Sequence, residues 1–229
     1  GKTRKEHIVQ WWLILIIVLA AAAVIGVALY AALVARLTKK YFTRHRFSET
    51  TSRRDRKKIM TADGGYRAFM HAAVERFSAV PCERMEVKSV DGLQLVGRFY
   101  RAENADKTVI CVHGYCGTGL RDMSAIAPFF LQNGFNVLLV DNRAHGESEG
   151  NIIGYGVLDS LDVTVWINAL KTAHPVKSTF LYGISMGAAT AMMTAQYVRR
   201  DEIAGIIADC GFTSIYEEFC YLYRTVAHV

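Results

Sequence analysis

Phe180-Leu181-Tyr182-Gly183-Ile184-Ser185-Met186-Gly187 is an apolar run that closes on Gly-Ile-Ser-Met-Gly and passes directly into Ala188-Ala189-Thr190-Ala191-Met192. Residue by residue it reads as a buried strand, a very tight corner and a helix. A serine at such a corner is pushed into a strained backbone conformation, with its hydroxyl held out above the sheet edge. The glycines two before and two after it leave room for the turn, since a Cβ at either would strike a neighbouring strand or helix. The N–H of Met186 opens the helix and points at whatever Ser185 attacks, so the corner offers a nucleophile and half an oxyanion hole together. Gly-x-Ser-x-Gly is short, however, and the same residues suit a plain strand-to-helix turn with two spacer glycines. The surrounding sequence has to decide.

Upstream, Thr108-Val109-Ile110-Cys111-Val112 and Val137-Leu138-Leu139-Val140 are unbroken apolar runs, as expected for strands buried on both faces, with a helix predicted over 123–131 between them. A second helix is predicted over 157–170, with Val157, Leu161, Val165 and Ala169 on its inward stripe and Asp159, Asp162 and Asn168 off it. Downstream of the serine comes one more buried strand, 203–208, and a helix-like run over 215–227. Ahead of all these, 85–90 and 93–100 flank Asp91-Gly92, a hairpin signal. Before the hairpin, 66–79 places Phe69, Ala73, Val74 and Phe77 at helical spacing. Strand alternating with helix predicts an α/β class, a doubly wound and mostly parallel sheet with helices on both faces. Ligands in such sheets sit beyond the carboxyl ends of the strands.

The 229 residues are 52% hydrophobic, but part of that content lies outside any core. From Ile8 to Ala35 there is no charged side chain, a run longer than the roughly 20 residues that cross a bilayer, with Trp11, Trp12 and Tyr30 near its ends. A cleaved signal has a shorter apolar region and a small-residue cleavage site, so residues 8–35 are expected to be one uncleaved transmembrane helix after a basic flank, 1–7. Charge is divided unevenly: 13 of the 27 Lys/Arg and only 3 of the 21 Asp/Glu lie within residues 1–58. The net +6 therefore belongs to the membrane flanks and speaks for lipid headgroups as partners, and against nucleic acid. Residues 36–63 are expected to form a basic juxtamembrane linker on the headgroups, with Tyr41, Phe42 and Phe47 as shallow anchors. The heavier positive flank follows the span, so the positive-inside rule places the domain of residues 64–229 on the cytoplasmic side of the cell membrane. Five cysteines without a Cys-x-x-Cys read as reduced thiols.

Three motifs now fall at the ends of successive strands: His113-Gly114-Tyr115-Cys116-Gly117, Asp141-Asn142-Arg143-Ala144-His145-Gly146-Glu147-Ser148-Glu149-Gly150, and Gly183-Ile184-Ser185-Met186-Gly187. In this order they resemble the α/β-hydrolase superfamily, and within it the serine-aminopeptidase and monoacylglycerol-lipase-like branch, which includes bacterial membrane-anchored members. The resemblance covers about residues 85–219. It implies that Ser185 is the catalytic nucleophile and that the backbone N–H groups of Met186 and Tyr115 form the oxyanion hole. It implies a structural role for His113, Asp141 and His145; the 141–150 stretch carries Ala144 where the family usually has Gly. No paired ligand spacing supports a metal at those three residues, and no cofactor is expected.

A serine hydroxyl needs a base, and the base a carboxylate to orient it. The resemblance puts that acid after the strand following 203–208 and the histidine one strand later still, so the chain is expected to be an N-terminal fragment with an incomplete sheet and the start of a cap near 215–229. Within the chain, Asp209 is the secondary candidate for the acid, although its Asp-Cys-x-x-Thr-Ser setting also suits a structural turn, and His228 has the right order for the base. A sheet lacking its last strands should expose an apolar edge. The expected activity is acyl transfer from an ester, thioester or peptide-like bond. A catalytically inactive hydrolase-fold scaffold and a lipid-binding surface domain are the rival readings.

Overall fold

The computed structural model describes residues 4–44 and 64–227 and divides into two units, Gly1–Thr43 and Arg44–Val229. The linker expectation over 45–63 and His228 lie outside the described residues. The first unit is a single helix, α1 (Arg4–Phe42). Its stretch Trp11–Phe42 is long and apolar enough to cross a membrane, and none of it is buried within the protein. At 1.5 Å per residue its 39 residues extend about 58 Å, well beyond the hydrocarbon thickness of a bilayer. The helix continues past the expected limit of the span at residue 35 because Arg36-Leu37-Thr38-Lys39-Lys40 holds no helix breaker.

The second unit is built on a six-stranded sheet. In chain order it contains α2 (Gly64–Ser78), β1 (Glu83–Lys88), β2 (Gln94–Tyr100), β3 (Lys107–Val112), α3 (Gly119–Met123), α4 (Ala127–Gln132), β4 (Phe135–Val140), α5 (Val157–Ala173), β5 (Ser178–Ile184), α6 (Met186–Thr194), β6 (Gly205–Asp209) and α7 (Ile215–Ala227). The strand order is β1-β2-β4-β3-β5-β6. The hairpin β1–β2 forms around Asp91-Gly92, with Gly92 at φ +88°, and β2 also pairs antiparallel with β4. The other four strands are parallel. The chain moves from β3 to one neighbour, β4, and then back across to β5 on the other side. The crevice where the direction reverses therefore opens beyond the ends of β3 and β5.

Alternation along the strands separates two cores. Ile110, Leu138, Leu181, Leu95 and Phe99 face α5, where Val163, Trp166, Ile167 and Leu170 meet them. Val109, Cys111, Val137, Leu139 and Tyr100 face the other way, onto Phe77 of α2, Met123 of α3 and Phe130 of α4. Three expectations are corrected here. The helix predicted over 123–131 is two short helices, because Pro128 in the first turn of α4 has no N–H to continue the preceding ladder. The inward face of α5 carries Asp159, Asp162, Val163, Trp166, Ile167 and Leu170, while Val157 is exposed. Both aspartates are drawn inside by specific partners. Phe69, expected to pack, is exposed on α2.

Candidate active site

Ser185 stands between β5 and α6 with φ +54° and ψ −117°, a backbone conformation rare for any residue with a Cβ. Its neighbours explain the glycines. A Cβ on Gly183 would lie 2.1 Å from the Gly187 carbonyl oxygen, and one on Gly187 would lie 1.9 Å from that of Val112. The Ser185 N–H donates to the Asp209 carbonyl at 2.8 Å, and its own carbonyl accepts from Ala188 and Ala189 at 3.0 and 3.1 Å, so strand and helix hold the turn from both sides. Ser185 is partly exposed, and Met186, buried, begins the helix.

The turn following β3 lies against this corner. A Cβ on Gly114 would sit 3.5 Å from the Ser185 Cβ, in ordinary contact. Gly114 to Gly117 closes through a 3.1 Å bond from the Gly117 N–H to the Gly114 carbonyl, with Cys116 at φ +57°. Tyr115, the second expected oxyanion donor, is therefore the residue next to the glycine whose missing side chain would meet the serine. Asp122 sits beneath the turn: its Oδ2 is 3.3 Å from the Gly114 nitrogen and occupies the space where a Gly117 side chain would go. The Tyr115 ring stacks on Tyr155, centroids 5.4 Å apart, and Tyr155 in turn meets Phe219 of α7 at 5.6 Å.

His113 and His145 brace this turn rather than face a substrate. A peptide N–H can only donate, so Nε2 of His113 accepts from Asn142 at 3.0 Å and Nδ1 carries the proton to the Gly114 carbonyl at 2.7 Å. By the same logic Nε2 of His145 accepts the Cys116 N–H at 3.2 Å and Nδ1 donates to the Arg143 carbonyl at 2.8 Å. Burial drives both imidazoles down to about 4, which keeps them neutral. With every ring nitrogen committed, neither histidine keeps a lone pair for a metal, and among the described residues no group of three His, Cys, Asp or Glu is gathered as ligands. The Asp141 carboxylate accepts from the Gly119 N–H at 2.8 Å and the Glu147 N–H at 2.9 Å. Ala144, in the place the family usually gives to Gly, has φ +61°.

Asp209 ends β6 and is exposed; its Oδ2 accepts from the Tyr182 hydroxyl at 3.3 Å. Burial lifts that hydroxyl to about 12. No described histidine is paired with Asp209: besides the two above, His174 stacks on Phe99 and contacts Arg101 and Glu83, His71 lies on α2, and His7 belongs to α1.

Sequence reasoning missed several supports of the site. Arg143 is buried and holds Asp162 through two bonds of 2.7 Å and Asp91 through two of 3.0 Å, joining the β1–β2 turn to α5. The Arg143 bonds also hold the Asp91 carboxyl down at about 2. Asp159 accepts the Gly156 N–H at 2.9 Å, leaving Oδ1 without a partner, and burial raises it to about 6. No spacing in the sequence announces these pairs. Tyr155, with φ +49° between two glycines, did leave a mark in Gly154-Tyr155-Gly156.

Residues 103–228, more than half of the chain, match the family described as serine aminopeptidase, S33. The chain belongs to this family of α/β-hydrolases. The uncharacterized protein YqkD of Bacillus subtilis is 29% identical over 155 residues, covering 67% of this chain and 50% of its own. The polyketide transferase claH of Penicillium crustosum is 33% identical over 127 residues, 52% of this chain and 41% of its own. Among solved structures, a Pyrococcus furiosus esterase is 29% identical with a TM-score of 0.61, covering 68% of this chain and 58% of its own. The chain spans half or less of the length of these two curated relatives.

Proposed function

We propose that the protein is a membrane-anchored serine hydrolase that cleaves an ester, thioester or peptide-like bond through an acyl-enzyme on Ser185. The observation that carries this reading is the Ser185 turn, strained at φ +54° and set so near the turn after β3 that a Cβ added to Gly114 would lie 3.5 Å from the Ser185 Cβ. The Ser185 hydroxyl attacks the substrate carbonyl, and a histidine outside the described residues takes its proton. The N–H groups of Met186 and Tyr115 receive the developing oxyanion, whose stabilisation by one such donor is worth about 3 kcal/mol. Collapse expels the alcohol, thiol or amine, and water releases the acyl group by the same route in reverse. The family membership, the esterase likeness and the transferase relative all accord with acyl chemistry. The length and apolarity of Trp11–Phe42 support the anchor, and the charge beyond it a cytoplasmic domain.

Asp209 serves the site through its carbonyl, which takes the Ser185 N–H, while its carboxylate is engaged by Tyr182. Labelling of the detergent-solubilised protein with a fluorophosphonate tests the proposal. Wild type should label and Ser185→Ala should not. A wild type that folds and stays unlabelled would turn the reading to a non-catalytic tethered module, which the absence of an imidazole paired with Asp209 among the described residues favours.

A further inference from the structure

Arg44 stands two residues beyond the end of α1 in sequence and belongs to the hydrolase unit. The charge pattern counted it among cations for the membrane surface, yet its guanidinium is used within the protein. Nη1 donates to the Ser148 carbonyl at 2.6 Å and reaches that of Gly150 at 3.4 Å, and Nη2 donates to that of Gly146 at 2.7 Å. Its backbone N–H donates to Asn151 at 2.8 Å. Three peptide oxygens of one loop therefore converge on one planar cation. A fork of fixed donors suits that arrangement, whereas a lysine ammonium offers a single point of charge.

The loop so held is the one that braces the oxyanion turn. It carries His145, which receives the Cys116 N–H, and Ser148, whose hydroxyl donates to the Asp141 carbonyl at 2.6 Å and accepts from the Val96 N–H at 2.9 Å. Asp141 in turn holds Gly119, just past the oxyanion turn. The loop turns through positive φ at Ala144, Gly146 and Gly150, at +61°, +49° and +103°, and is folded on itself by bonds from the Ala144 N–H to the Glu149 carbonyl at 2.9 Å and from the Ser148 N–H to the His145 carbonyl at 3.1 Å. The carbonyls of residues 146, 148 and 150 are left to Arg44, and without its cation they would lose that shared donor and the loop would loosen there.

We propose that Arg44 is a positioning residue for the oxyanion turn, acting through the carbonyls of Gly146, Ser148 and Gly150 and then through His145 and Cys116. The proposal rests on the serine-hydrolase reading only for its kinetic readout. The experiment compares wild type, Arg44→Ala and Arg44→Lys in detergent. It measures fluorophosphonate labelling rate, kcat and KM on p-nitrophenyl butyrate, and amide hydrogen exchange. Arg44→Ala should label about tenfold more slowly or worse, as expected for a small misplacement of donors. It should lower kcat with little change in KM, and it should raise exchange across residues 114–119 and 141–151 while β3 and β5 stay protected. Arg44→Lys should fall between the two, and millimolar guanidinium chloride should restore part of the Arg44→Ala rate.

Labelling of Arg44→Ala at the wild-type rate overturns the proposal, and so does loss of protection spread over the whole sheet, which would mark a merely structural role. If wild type fails to label, the hydrolase reading falls. Exchange at 114–119 then still decides whether Arg44 holds the turn.

Discussion

The two sides of Ser185 are built differently. On the side of β3 and β4, the loops over 113–119 and 141–150 are wired by buried polar groups, each held by a named partner: His113 to Asn142, His145 to Cys116, Asp141 to Gly119, Arg143 to Asp162. On the side of β6 and α7 the surface is open. Ile207 is 47% exposed, Asp209 and Cys210 are exposed, and Tyr216, Tyr221 and Tyr223 project from α7. Backbone donors must stand in one place before a substrate arrives, and in a dry interior that requires every supporting group to be satisfied. Among the described residues the open side supplies one such support, the Asp209 carbonyl that takes the Ser185 N–H at 2.8 Å.

Substitutions should expose this asymmetry, starting with the largest effect. Gly187→Ala drives a methyl into the Val112 carbonyl at 1.9 Å and is expected to prevent stable folding, read as loss of the cooperative melting transition. Arg143→Ala leaves Asp162 buried without its cation and should cost about 3–5 kcal/mol in denaturant unfolding. On the open side, Ile207→Thr should stay within about 0.5 kcal/mol of wild type. If the two changes cost the same, the contrast fails.

A pH titration sharpens the comparison. His113 and His145 are held near 4 in the folded protein against an ordinary value of 6.5, so the unfolded chain binds more protons between those limits. Their contribution to stability is complete above pH 6.5 and is lost as pH falls toward 4. Asp159, raised to about 6, works in the opposite direction, because the folded protein holds its proton as pH rises from 3.8. Asp162, which burial also raises, acts with Asp159; the two histidine shifts outweigh both, and the melting temperature should fall from pH 6.5 to pH 4. Asp159→Asn should steepen that fall, and His145→Gln should flatten it. A small effect of the opposite sign is expected at Ala144→Gly, which removes a left-handed alanine and should stabilise by up to about 1 kcal/mol.

What could be read from the chain alone follows the same division between local and distant causes. The strands β3, β4 and β5 were legible because short runs of apolar residues bounded by turn signals leave few alternatives, the hairpin because Asp91-Gly92 favours one turn, and the serine corner because two glycines mark the space it needs. The inward face of α5 differs from the one its polarity pattern predicts, because two of its polar residues are buried by partners. Asp159 and Asp162 are inside, the first capping its own helix at Gly156 and the second paired with Arg143, nineteen positions away. Pro128, which divides the helix predicted over 123–131, is a local signal of that break. Arg44 and the His145–Cys116 bond carry no local mark at all, since each depends on a partner brought near only by the fold.

The bond from the Ser185 N–H to the Asp209 carbonyl ties the hydroxyl's pose to the sheet's sixth strand. That tether makes the strained turn answer to β6: on warming, labelling at Ser185 should vanish as the amides of β6 lose their protection, and not before.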